Sequence, residues 1–357
     1  MSGQPDTAMA FREMAPLYEA TNRTRVLRRG FTLVEVMVVI AIIAVLISIL
    51  LPSLKAVRTR VHESRTQVAI SGLETGIHQY LADTRCGGSL PPSAAPGTTL
   101  TGYDGGQILS PHTGSILMID GASLLFWALA GADLIGTPGF QDLNGNGTWA
   151  DDTGATTPQQ LYRLSGTKPN YPRSGPYVDL SKMKLPPMTA PDKFTIPAAK
   201  GAIRTLPSLC FLDSFDQPIL YYKANLNKPL MVGEDIGAGN KGIYNKTDNT
   251  TITTGDGTCS MSGVCNYGMN FGAGLIAAGQ YHFAAKAGEG ADLGKSTAEV
   301  LTALQNPANR CFSRTVWNPN VAVVPRPHND KSYILLSAGA DGVFGSADDI
   351  ANFEVNK

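Results

Sequence analysis

Charge is scarce in this sequence. Asp, Glu, Lys and Arg make up 16% of the 357 residues, against about 25% in an ordinary soluble domain. The 29 basic and 29 acidic side chains cancel. No basic field is left to neutralise phosphates, which excludes nucleic acid as a partner. Histidine is scarcer still, and none of the 5 stands at ligand spacing from a cysteine, which argues against zinc. There is no G-x-S-x-G, no H-E-x-x-H and no Walker loop. Gly237 to Gly242 reads GAGNKG, but neither a strand pattern before it nor a helix pattern after it supports a phosphate loop. Nothing points to catalysis, so the chain reads as a non-enzyme. No fixed-period repeat is visible. Gly, at 38, and Pro, at 23, are plentiful and predict a loop-rich body. The 43% hydrophobic share supplies cores for one to three domains.

One long apolar run breaks this pattern. Phe31 to Leu51 reads FTLVEVMVVIAIIAVLISILL, with Glu35 its single charge. A helix of that length spans about 30 Å, the thickness of a bilayer's hydrocarbon core. A secretory signal peptide has a shorter apolar stretch and a small-residue cleavage site, whereas here Pro52-Ser53-Leu54-Lys55 follows. The run reads as a membrane span. Four arginines precede it (Arg23, Arg25, Arg28, Arg29) and three basic residues follow (Lys55, Arg58, Arg60). That balance places the N-terminus on the cytoplasmic side.

Glu35 requires a reason, because a carboxylate within a span is costly unless paired, neutralised or functional. It could reach headgroups, or it could meet a cation at the same depth. Cleavage between Gly30 and Phe31 would create such a cation, a new α-amino group. The residues Arg28-Arg29-Gly30 and Phe31-Thr32-Leu33-Val34-Glu35 resemble the leader signal of type IV prepilins and type II secretion pseudopilins. The resemblance implies a membrane peptidase that cuts after Gly30 and methylates Phe31. It places the family's assembly glutamate on Glu35 and its helix-kinking proline on Pro52. The leader, residues 1–30, is longer than is usual for the family, and Met14 is an alternative start. Without it the chain carries 24 basic and 26 acidic groups.

Beyond the span, residues 53–85 read as an amphipathic continuation of the helix. Leu54, Val57, Val61, Val68, Leu73, Ile77 and Leu81 form the expected apolar stripe, with a bend or local melting near Pro52. Gly72 and Gly76 weaken such a helix and call for packing against a head. Residues 86–357 read as that head. Within it, 124–136 predicts a short helix ending at Gly136, a turn and strand are expected over 213–222, and a second strand over 331–336. Asp213 to Tyr222 is similar to a turn-and-strand segment of major pseudopilins. Residues 86–210 and 225–325 read as large insertions on that plan. The fold class expected is α+β: a long N-terminal helix packed on a small antiparallel sheet, with loop-rich insertions.

Five cysteines, Cys86, Cys210, Cys259, Cys265 and Cys311, leave an odd one unpaired within the chain. A head outside the cytoplasm can form disulfides, and Cys259 with Cys265 is the pair expected. Two carboxylate loops stand out. Residues 337–350 hold Asp341, Asp348 and Asp349 among glycines that permit positive φ, a pattern that suits calcium or a plain acidic turn. The stretch also resembles the C-terminal calcium loop of major pseudopilins, which implies Ca²⁺ there, with Phe353 where that family has Trp. Asp142, Asn144, Asn146 and Thr148 fall at the early positions of an EF-hand-like loop, but Thr153 stands where a bidentate Glu closes such a loop. Asp151 or Asp152 would have to substitute, at the cost of register.

The function expected is a structural subunit of a type II secretion pseudopilus or type IV pilus-like filament. Its partners would be copies of itself, other pilins, prepilin peptidase and the membrane. The anchor would be a single pass through the inner membrane, with the head on the periplasmic or extracellular side. The alternative is a membrane-anchored minor pilin or adhesin whose head binds a ligand.

Overall fold

The computed structural model describes residues 32–84, 88–93, 107–109, 116–118, 120–131, 134–137, 139, 164–165, 168–169, 173–190, 193–197, 203–206, 209–226, 243–244, 246–249, 305, 312–321, 326–342 and 344–355. Gly30, Phe31, Cys259, Cys265 and the Asp142–Asp152 loop lie outside the described residues. The chain divides into two compact units, Met1–Lys55 and Ala56–Lys357.

The apolar run and the stretch after it form one helix, α1, Leu33–Ala82, unbroken at Pro52. Helix formation in the apolar half needs no tertiary partner, because its residues bond their own backbone. The local melting expected at Pro52 is therefore absent. Proline removes one N–H from the ladder, while the hydroxyls of Ser48 and Ser53 donate to the carbonyls of Val45 and Ile49 at 2.7 and 3.3 Å.

In the second half of α1 the single stripe read from the sequence resolves into two faces. Thr66, Ile70, Leu73, Ile77 and Tyr80 are buried and enter the core at intervals of three and four. Val57, Val61 and Val68 are exposed on another face. Within each set the spacing is three, four or seven, and the five-residue step from Val68 to Leu73, a turn of about 140°, separates them. Gly76 belongs to the contact: a Cβ there would lie 2.5 Å from Val178 Cγ1.

The next helix, α2, is Gly121–Leu129, with every residue buried. Asp120 caps it, its Oδ1 accepting from the Ser123 N–H at 3.2 Å. Gly121 is required because a Cβ would sit 2.3 Å from the Tyr221 carbonyl oxygen. The helix stops earlier than Gly136, because Gly131 takes a φ of 78° and its N–H closes on the Trp127 carbonyl at 3.1 Å.

The expected sheet is present. Strands β8 (Leu220–Lys223), β9 (Tyr333–Ser337) and β10 (Ile350–Ala351) pair antiparallel in the order β10-β9-β8. Tyr221 lies opposite Leu335, and Ile350 opposite Ser337. Alternation then assigns the two faces. Tyr221, Tyr333 and Leu335 join α1 and α2 in one core cluster. Leu220, Tyr222, Ile334 and Leu336 join a second cluster with Ile243, Tyr244, Val316 and Trp317. The last four come from residues 225–325. That insertion is therefore the second wall of the sheet, and it explains why Tyr333 to Leu336 is apolar on both faces. Asn249 fixes the junction, accepting from the Ala122 N–H at 2.8 Å and donating to the Tyr221 carbonyl at 2.9 Å.

The first insertion carries small antiparallel pairings. These are β1 (Gln107–Leu109) with β2 (Ile116–Met118), β3 (Leu164–Ser165) with β4 (Lys168–Pro169), and a three-stranded sheet of β5 (Met188–Ala190), β6 (Lys193–Pro197) and β7 (Ile203–Leu206). A short helix, α3, spans Phe312–Val316. The whole is α+β, as expected.

Candidate functional site: the start of the long helix and the C-terminal loop

The described chain begins at Thr32, which acts as the N-cap of α1. Its hydroxyl accepts from the Glu35 N–H at 3.2 Å. In return Glu35 Oε2 accepts from the Thr32 N–H at 2.8 Å and from the Thr32 hydroxyl at 2.9 Å. This is a capping box, satisfying donors that a helix start otherwise leaves bare. The sequence carried the signal as T-x-x-E, and reading Glu35 only as an intramembrane charge missed it. Both bonds fall on Oε2, and among the described residues Oε1 accepts none. Leu33 to Leu54 presents its apolar side chains outward. An 18-residue window of α1 reaches a mean hydropathy of 3.1 with none of it buried, long and apolar enough to cross a membrane.

At the far end of the chain, one buried carboxylate joins the two segments that the sequence singled out. Asp213 Oδ1 accepts from the N–H groups of Phe215 and Gln217, both at 2.8 Å. Its Oδ2 accepts from the Ser337 hydroxyl at 2.5 Å, where β9 enters the C-terminal loop. Burial pushes the Asp213 carboxyl up to about 6, against the pull of Ser337 and the two N–H donors. Spacing alone could not show that Asp213 and Ser337 meet, since 124 residues separate them.

The loop itself is closed by its own donors. Gly339 has a φ of 61°, and a Cβ there would lie 2.1 Å from the Asp348 carbonyl oxygen. The Asp341 N–H donates to Asp348 Oδ2 at 2.9 Å, and the Gly345 N–H to Asp349 Oδ2 at 2.6 Å. The Ser346 hydroxyl donates to both carboxylates. Asp349 is buried, and desolvation, with Asp341 and Asp348 nearby, holds its carboxyl well above the usual range. Asp341 is exposed. Among the described residues, no group of three or more His, Cys, Asp or Glu side chains is disposed to hold a metal ion. The loop as folded thus spends the carboxylates of Asp348 and Asp349 on its own turn. Phe353 stacks on the ring of His328 with centroids 4.5 Å apart, and burial lowers the His328 pKa.

The apolar helix thus begins with a capping box and an acidic residue, just after a basic stretch and a glycine in the sequence. The family model described as the prokaryotic N-terminal methylation motif matches residues 25–51. The chain carries this type IV prepilin-like signature, and with the apolar helix it fits a membrane-anchored protein. No curated protein and no solved structure matches the chain.

Proposed function

We propose that this chain is a structural subunit of a type II secretion pseudopilus or a type IV pilus-like filament. It would assemble through α1 after cleavage between Gly30 and Phe31 and methylation of Phe31. Its action is assembly, with no chemical step catalysed by the subunit.

The observation that carries the reading is the state of Glu35. One carboxylate oxygen is held by Thr32, so the side chain is fixed at the helix start, and among the described residues Oε1 accepts no hydrogen bond. A charge in lipid costs about 3 kcal/mol when unpaired. Pairing Oε1 with the Phe31 amine of a neighbouring copy removes that cost for both groups and sets a stagger between copies. Repeated along an axis, a heterologous contact of this kind builds a helical filament. Glu35→Leu should leave membrane insertion and processing intact and abolish filaments, whereas Thr32→Val should only reduce them. Normal filament numbers from Glu35→Leu would refute the proposal.

Calcium at Asp341, Asp348 and Asp349 is a second, separable part of this reading. What supports it is the buried Asp349, crowded by two like charges that a cation would relieve. To bind there, an ion would have to compete with the N–H of Asp341 for Asp348.

A further inference from the structure

Within the Ala56–Lys357 unit, one stretch of surface joins an apolar wall to unmatched positive charge. Val57, Val61 and Val68 are 57%, 43% and 73% exposed. They line a groove of about 1030 Å³ between α1 and the segment 177–184. Met183 belongs to the opposite wall, and Gly72 makes room for it: a Cβ there would lie 2.8 Å from Met183 Cε. At about 100° per residue, the three valines fall within about 40° of one another around the helix. Arg60 stands about 80° to one side of that stripe and Arg65 about 60° to the other, while Glu63 points about 140° away.

The other charges of the groove are spent within the head. Lys182 pairs with Asp179 at 3.0 Å, and Lys184 with Asp216 at 2.7 Å. Asp213 is buried, its oxygens taken by the Phe215 and Gln217 N–H groups and the Ser337 hydroxyl. His62 packs its ring against Phe215, with centroids 5.3 Å apart. Arg60 and Arg65 both line the groove and are exposed. Among the described residues neither forms an ion pair or a hydrogen bond. The apolar stripe is thus bracketed by two cations that no described residue answers.

We infer that this groove binds an anionic phospholipid, with the phosphate held by Arg60 and Arg65 and an acyl chain laid along Val57, Val61 and Val68. A guanidinium engages phosphate oxygens through paired N–H donors. The eleven residues from Val57 to Val68 cover about 16 Å of helix, close to one leaflet's half of a hydrocarbon core about 30 Å thick. A free phosphate has nothing to place on the valines, and a neutral lipid leaves the arginines unanswered. The supply of lipid is near. Val57 follows Leu51, the end of the apolar run, by six residues, and six residues reach at most about 20 Å in any conformation. The inference rests on membrane anchoring and not on assembly into a filament.

The test is native mass spectrometry of the full chain, released from non-ionic detergent after addition of phosphatidylglycerol, phosphatidylcholine or inorganic phosphate. The parent chain should retain one phosphatidylglycerol, hold phosphatidylcholine roughly tenfold more weakly, and retain no phosphate ion. Arg60→Gln combined with Arg65→Gln should weaken phosphatidylglycerol retention roughly tenfold or more. Arg60→Lys with Arg65→Lys should keep most of it, as should Lys55→Gln, a cation that does not line the groove. All these side chains are exposed, so thermal unfolding should match the parent. Equal retention of the two phospholipids, or full retention by the double glutamine variant, would overturn the inference and leave the lipid to the apolar run alone. Inorganic phosphate retained in the lipid's place would overturn it as well. So would a loss of filaments in the double glutamine variant with lipid retention unaltered, which assigns the groove to a protein partner.

Discussion

Replacing Asp213 tests how the head is held together. Its carboxyl is raised from 3.8 to about 6. At about 1.4 kcal/mol per pKa unit, ionising it in the folded head costs about 3 kcal/mol. The sign follows from the raised value. The stabilising protonated form is fully present below the unfolded pKa near 4, and its contribution is lost as pH rises through about 6. Asp213→Asn keeps an oxygen for the N–H groups of Phe215 and Gln217, and turns an amide toward the Ser337 hydroxyl, which can accept. This variant should fold and should flatten the decline in stability between pH 4 and pH 7, by about 3 kcal/mol relative to the parent chain. Asp213→Ala instead strands three donors. At roughly 1–3 kcal/mol for each unsatisfied group, the loss should be about 3–5 kcal/mol at pH 4 and smaller at pH 7, where the parent has itself lost the contribution of the protonated carboxyl. The assay is denaturant unfolding of the full-length protein in detergent across that range. Asp349 titrates in the same direction and His328 in the opposite one, so the comparison is always variant against parent. Parallel stability curves for parent and Asp213→Asn would refute the reasoning.

Other changes probe separate parts of the account. Gly121→Ala should destabilise the head by about 3 kcal/mol or more, because its Cβ would meet the Tyr221 carbonyl at 2.3 Å and backbone cannot move aside cheaply; thermal unfolding near the parent temperature would contradict this. Calcium bound at a hundredfold excess over its Kd would add about 2.7 kcal/mol. Asp341→Ala should then abolish the difference a chelator makes to the melting temperature, and do so more fully than Asp142→Ala. Identical melting of the parent chain with calcium and with chelator would show the loop to be a plain acidic turn.

The legible parts of this protein are those in which one local rule decides the outcome. The span follows from length and apolarity, and β8 and β9 follow from short runs rich in β-branched and aromatic residues. The start of α1 was legible too, but Thr32 and Glu35 carry two signals at once, and the intramembrane charge concealed the cap. What the sequence could not show is long-range. Ile243, Tyr244, Val316 and Trp317 sit in stretches without period, yet they cover a face of the sheet. Val57 and Leu73 share an apolar pattern but part onto different faces, because the five-residue step from Val68 to Leu73 turns about 140° around the helix. Asp213 reads as a turn residue, and only the fold reveals Ser337 above it.

The central claim is that the chain is processed at the start of its apolar helix and anchored by that helix. The intact mass of the protein purified from membranes tests it most directly. The account predicts the mass of residues 31–357 plus one methyl group, carried on the amine of Phe31. An unmethylated chain beginning at Met1 or Met14 would contradict it.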